Sequence, residues 1–226
     1  MQIIFDGATV RHDAREAIHP LTLSLDDHRI GVIGLNGSGK TTFARLIAGL
    51  TVPSDGKVMI DGLDSVADAN TLRGRIGFIF QTPGNQIILP IVEDDIALGL
   101  KPLKLGKAEI AARVEAALSR LGIAHLAKRR PHELSGGELQ LAALAAVLVT
   151  APSLVIFDEP TNQLDLKNRA VVEQAIAALD ESAIVISHDL DLVATFPRVL
   201  VFDQGRIAFD GPAQQAIARY REIALR

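Results

Sequence analysis

Gly34-Leu-Asn-Gly-Ser-Gly-Lys40-Thr41 decides how this chain of 226 residues folds. Its glycines let the backbone bend tightly and turn N–H groups inward. Those donors, with the N-terminus of a following helix, make a cradle for phosphate oxygens. Asn36, Gly37, Ser38, Gly39, Lys40, Thr41 and Thr42 are the candidate phosphate-binding residues. Lys40 is placed to reach the β- and γ-phosphates, and the Thr41 hydroxyl to ligate Mg²⁺. Such a loop needs a strand before it and a helix after it. Arg29-Ile-Gly-Val-Ile-Gly34 supplies the strand, and Phe43, Leu46, Ile47 and Leu50 follow at helical spacing.

Working outward, Leu154-Val-Ile-Phe-Asp158-Glu159 is a second apolar strand that ends in two carboxylates. In open α/β sheets ligands bind at such strand ends. Asp158 is the candidate Mg²⁺ holder and Glu159 the candidate polariser of an attacking water. Capping of a helix before Pro160-Thr161 is the competing reading of the acidic pair. The phosphate loop weighs against it, because a magnesium nucleotide needs a carboxylate partner.

The rest is the pattern of an α/β fold with a mostly parallel sheet and covering helices. Residues 75–80, 183–187 and 199–202 are further strand candidates. Residues 2–5, 21–25 and 57–60 read as an antiparallel edge, and Asp203-Gln-Gly-Arg206 as a hairpin turn before residues 207–209. From about 83 to 150 no strand signal occurs. Ile110, Val114, Ala117, Leu118 and Leu121 lie on one helix face, and a second helix is expected over about 137–149. The expectation is one domain, with residues 1–82 and 151–226 as nucleotide-binding core and residues 83–150 as an inserted helical subdomain.

Composition bounds the function. The net charge of −4, without a long basic run, gives no nucleic-acid surface. Without cysteine there is no disulfide or thiolate metal site, which fits a reducing cytoplasm. The six histidines have no metal-ligand spacing. The start lacks the basic and apolar regions of a signal peptide. The apolar stretch 141–157 is too short to span a bilayer and is broken by Pro152, so no direct membrane insertion is expected.

Leu134-Ser135-Gly136-Gly137-Glu138 completes the set. Lying just before a helix and about twenty residues ahead of the acidic strand, it resembles the signature of ABC transporter ATP-binding subunits. The resemblance covers essentially the whole chain and implies an ABC ATPase fold: a P-loop core, an antiparallel β edge and a helical subdomain. It implies an ATPase that dimerises on ATP, with Ser135 and Gly137 contacting the γ-phosphate held by the phosphate loop of a second copy. Gln81 resembles the loop glutamine that senses Mg²⁺ and meets the transport partner. Residues 162–165 resemble the loop that crosses the dimer interface. His188 resembles the switch histidine at the γ-phosphate. Catalytic roles thus fall to Glu159, His188, Gln81 and Lys40, and metal contacts to Thr41, Gln81 and Asp158.

Phe80-Gln-Thr-Pro-Gly-Asn-Gln86-Ile87 narrows the resemblance to the energy-coupling-factor importers of vitamins and metals. There the segment lies near the groove for a transmembrane coupling subunit, although Gln86 reads equally as a solvated loop residue. The biotin importer ATPase is the lean, with cobalt and nickel importers as competitors. The implied partners are a coupling subunit and a substrate-binding membrane subunit, at the cytoplasmic face of the cell membrane. A soluble ABC-type ATPase, or a P-loop kinase or regulatory module, is the alternative. Three positions depart from the family pattern: His12 where an aromatic usually stacks on adenine, Glu138 for glutamine, and Leu141 for arginine.

Overall fold

The computed structural model describes residues 1–13 and 15–226, arranged in two sheets with helices around them. β1 (Ile3–His12) and β2 (Arg15–Leu25) form an antiparallel hairpin. β3 (Arg29–Gly34) follows and feeds α1 (Lys40–Ile47). β4 (Asp55–Ile60) and β5 (Leu63–Asp64) complete a four-stranded antiparallel sheet in the order β2-β1-β4-β5. α2 (Ala69–Leu72) leads into β6 (Ile76–Ile79).

From β6 to the next strand, every element among the described residues is helical. α3 (Val92–Leu98), α4 (Lys107–Arg120) and α5 (Gly136–Leu148) are joined by short 3₁₀ turns. β7 (Leu154–Asp158), α6 (Leu166–Ala177), β8 (Ser182–Ile186), α7 (Leu190–Val193), β9 (Arg198–Asp203), β10 (Arg206–Gly211) and α8 (Ala213–Ala224) finish the chain. The second sheet has the order β10-β9-β3-β8-β7-β6, all parallel except the β10–β9 hairpin.

The parallel strands are buried on both faces, as their continuous apolar runs require. Ile30, Val32, Ile156, Ile184 and Ile186 pack toward the antiparallel sheet. Ile33, Val155, Phe157, Val185 and Val201 point the other way, onto α6 and α8. α1 sits between the two sheets. Its Phe43 ring lies 5.0 Å from Phe5 of β1 and 5.0 Å from Phe202 of β9, and all three are buried. Aromatic pairs at this spacing add to the area they bury. They fix the helix whose first residue is Lys40.

The α/β architecture expected from the sequence is the one observed, with most strand and helix ends displaced by a residue or two. The larger differences are in the first hairpin: β1 runs on to His12, past the expected residue 5, and β2 starts at Arg15, well before the expected residue 21. Register shifts in the β1–β2 pair break its two-residue alternation and hide the strand from a periodicity reading. β2 contains Pro20, which is tolerated because β2 is an edge strand.

α5 joins the helical region to the sheet. Leu144 and Leu148 pack in the core with β7, while Leu141, Ala142 and Ala145 pack with α3 and α4. Leu141 is thus a buried core residue. The α5–β6 approach is close: a Cβ added to Gly77 would lie 2.1 Å from Val147 Cγ1. Gly77→Ala should therefore cost about 1–3 kcal/mol by overpacking. Val147→Ala in the same chain should recover most of that loss, measured by urea unfolding of the single and double variants.

Candidate active site

Four adjacent strands of the second sheet end side by side. In register, Val32 of β3 and Asp158 of β7 both pair with Ile186 of β8, and Ile79 of β6 pairs with Phe157. The segments beyond these ends therefore converge: the phosphate loop after β3, His188 after β8, Asp158 and Glu159 at β7, and Gln81 after β6. They line a cleft of about 430 Å³ with His12, Arg15, Ala17, Asn36, Gly37, Ser38, Gly39, Lys40, Thr41 and Thr42.

The loop backbone is one that only glycine supports at two points. Gly34 has φ 152°, and a Cβ there would strike Phe202 O at 2.3 Å. Gly39 has φ 106°, and a Cβ there would meet Ala17 O at 2.8 Å. The β9–β10 turn braces the loop from behind. Gly205 N donates to Ser38 O at 2.9 Å, and His19 N donates to Gly205 O at 3.0 Å. Gln204 and Gly205 both have positive φ, as a two-residue hairpin requires.

Lys40 is buried and donates to Gly34 O at 2.7 Å and Leu35 O at 3.0 Å. Burial pulls its pKa down, against the opposing pull of Glu159 and Asp158. Thr41 Oγ1 donates to Asp158 Oδ1 at 3.1 Å, and burial raises the Asp158 pKa despite this bond. Thr41 and Asp158 form a pair of hard oxygen donors, the kind that suits Mg²⁺. The described residues hold no cluster of three or more His, Cys, Asp or Glu that could bind a metal alone. Ser38 Oγ is buried without a hydrogen-bond partner, one more polar atom available to such a ligand.

Glu159 is the most perturbed carboxyl of the site. It adopts φ 56° and lines the cleft. Burial raises its pKa to about 7, although the His188 backbone N–H opposes the shift by donating to Oε2 at 3.1 Å. Oε1 lies 3.0 Å from His188 Nε2 without hydrogen-bond alignment, and is otherwise unpartnered. His188 itself is half-exposed, its pKa lowered by burial and then by Lys40. A neutral imidazole therefore faces a carboxyl poised near neutrality, the condition for a general base or a water-orienting group.

Ser135 and Gly137 do not line this cleft. They start α5, where Ser135 Oγ accepts from Glu138 N at 3.3 Å and Glu138 Oε2 accepts from Ser135 N at 2.8 Å. This capping box gives Glu138 a structural role, and the bonds to Ser135 lower its pKa. Gln86 is no solvated loop residue: its Nε2 donates to Phe78 O at 3.2 Å, and its Oε1 accepts from Phe80 N at 3.3 Å. It clamps the loop bearing Gln81 to β6. Arg15 and Ala17 were not foreseen as lining residues. Only the pairing of His12 with Arg15 across the hairpin brings them to the cleft, and no local motif marks it.

Residues 18–162 match the ABC transporter family. A protein of Rhizobium etli named biotin transport ATP-binding protein BioM is 65% identical over 224 residues, covering 99% of this chain and 100% of that one. An energy-coupling factor transporter ATP-binding protein, EcfA1 of Symbiobacterium thermophilum, is 37% identical over 98% of this chain and 83% of its own length. The solved structure of cbiO1 from Clostridium perfringens, described as part of the ABC transporter complex cbiONQ, superposes with a TM-score of 0.86. It is 30% identical, covering 99% of this chain and 94% of that chain. With its phosphate loop, acidic strand end and histidine in one cleft, the chain belongs to the ABC transporter family and is an ATP-hydrolysing cassette of it.

Proposed function

We propose that this cassette is the ATPase subunit of an energy-coupling-factor importer whose cargo is biotin. One observation carries the catalytic part: Lys40, Thr41, Asp158, Glu159 and His188 share a cleft that Ser135 and Gly137 do not line. A helix N-terminus with free N–H groups is an anion site in waiting. The start of α5 would meet the γ-phosphate held by a second copy, so that each ATP is bound between two chains. The cargo is supported by the named biotin ATPase that matches along both full lengths. Residues 83–150 would act as the helical lobe that presents the signature turn, and residues 1–82 and 151–226 as the lobe that holds nucleotide. Among the described residues no helix is long and apolar enough to cross a membrane. Attachment would run through membrane subunits meeting the surface near Gln81 and Gln86.

In this mechanism Lys40 leaves the carbonyls of Gly34 and Leu35 for the β- and γ-phosphate oxygens, neutralising charge as it develops. His12 and Arg15 border the nucleotide from the β1–β2 hairpin. Mg²⁺, held by Thr41 and Asp158 with Gln81 nearby, would supply charge neutralisation at the phosphates. Glu159 accepts the proton of the attacking water while His188 stabilises the transferring phosphoryl. The products are ADP and phosphate, and the dimer reopens as they leave.

Glu159→Gln should bind ATP, dimerise and lose hydrolysis by about 10²–10⁴-fold. Co-expressed with its membrane partners, it should also abolish uptake of labelled biotin. Uptake of cobalt or nickel in place of biotin by the wild-type complex would overturn the cargo assignment. Near-normal turnover in Glu159→Gln would overturn the base assignment.

The raised Glu159 pKa has a stability consequence in the nucleotide-free chain. The folded form holds this proton more tightly than the unfolded chain does. Its stabilisation is complete below about pH 4.5 and is lost as pH rises through about 7. The thermal midpoint of Glu159→Gln should therefore gain on that of the wild type between pH 5 and pH 8, by calorimetry.

Glu138 places a negative charge at the turn that would meet a partner's γ-phosphate. Glutamine keeps the capping box and removes that charge. Glu138→Gln should tighten ATP-driven dimerisation severalfold at low salt, measured by sedimentation in the Glu159→Gln background, with the gain shrinking as salt screens the charge.

A further inference from the structure

A run of packing contacts, hydrogen bonds and chain neighbours joins the signature turn to the hydrolytic pair, and it passes through the first turn of α6. A Cβ at Gly137 would lie 2.5 Å from Asn168 Oδ1, and one at Gly136 would lie 2.9 Å from a Leu164 methyl. The turn is thus seated on the loop before α6 and on its first residues. Asn168 is held in place by Asp165, the N-cap of α6. Asp165 accepts from Asn168 N at 2.8 Å and from Asn168 Nδ2 at 3.0 Å.

The next residue leaves the helix about 100° further round and serves a different contact. The Arg169 guanidinium lies 2.5 Å from Asp189 Oδ2, and its Nε donates to Glu173 Oε1 at 2.6 Å. Asp189 caps α7 by accepting from Asp191 N at 3.1 Å and Leu192 N at 3.3 Å. It directly follows His188, whose backbone and ring both face Glu159. The Arg169 and Asp189 side chains are 29% and 12% exposed. That is more shielded than the surface pairs that contribute nothing measurable.

We propose that Arg169 is a positioning residue for hydrolysis: through Asp189 it fixes the His188 turn against Glu159, and through its neighbour Asn168 it ties that geometry to the signature turn. This rests on the reading that Ser135 and Gly137 complete the site of a second copy. Under it, the nucleotide bound by one chain's signature turn sets the hydrolytic geometry in that chain's own cleft. The two ATP sites of the dimer are then coupled through α6.

The test is steady-state ATPase of the full chain with its membrane subunits, over a range of ATP at fixed Mg²⁺. Sedimentation in the Glu159→Gln background reports ATP-driven dimerisation. Misplacing a catalytic group by about 1 Å can cost about 10²-fold. Arg169→Ala should lower kcat about tenfold or more, leave KM for ATP within about threefold, and reduce the Hill coefficient to about 1. Arg169→Lys should restore kcat to within about threefold of wild type. Adding Asp189→Asn to Arg169→Ala should cost nothing further, because the two act as a unit. Should Arg169→Ala fail to fold, Asp189→Asn read by the same kcat-against-KM split decides the matter. An Arg169→Ala chain that dimerises and keeps its kcat and Hill coefficient overturns this inference alone. A Glu159→Gln chain that stays monomeric with ATP overturns the shared-site reading and the coupling with it.

Discussion

A buried ammonium and two buried carboxyls at the open ends of parallel strands are the constraint on which this molecule depends. Lys40, Asp158 and Glu159 are each less than a tenth exposed. Groups so placed cost free energy unless opposite charge or hydrogen bonds offset the lost hydration. Here the compensation is partial: Lys40 borrows two loop carbonyls, Asp158 takes the Thr41 hydroxyl, and Glu159 is left with an unpartnered oxygen. The remaining polar demand is what a triphosphate and its water would satisfy. The rigid surroundings, from the three packed phenylalanines to the doubly buried strands, hold these groups where they would otherwise avoid one another.

The same economy governs the signature end of α5. Ser135 and Glu138 satisfy each other and set the helix start without help from the rest of the chain. Glycine at 136 and 137 serves the inward side, where Leu164 and Asn168 close in. In the proposed dimer the same short turn would also meet an anion, so packing and binding would share a few residues.

Much of the fold and the phosphate cleft was legible because their signals are local. Glycine spacing in 34–39, the apolar run closed by Asp158 and Glu159, and the Gln204-Gly205 turn each announce a conformation within a few residues. The sheet order brought those motifs together as the strand-end rule anticipates. What was not legible depends on pairing across distance or on one side chain finding one backbone. Arg15 reaches the cleft through the register of an irregular hairpin. Gln86 clamps Phe78 and Phe80 after a loop has folded back. Arg169 and Asp189 meet because the first turn of α6 lies against the cap of α7. Neither hydrophobic period nor residue type marks such partners in advance. The Ser135–Glu138 box is the exception: its spacing was readable, and its departure from glutamine drew attention instead.

The brace behind the phosphate loop bears on how the protein is made. β3 lies between β8 and β9, and the loop that follows it leans on Gly205, so residues 34–41 take their shape from neighbours encoded about 150 or more positions later. Contacts of such long sequence separation form slowly. The emerging polypeptide would gain ATP affinity only after β8, β9 and β10 had cleared the exit tunnel, which ties the onset of binding to strands made long after the motif itself.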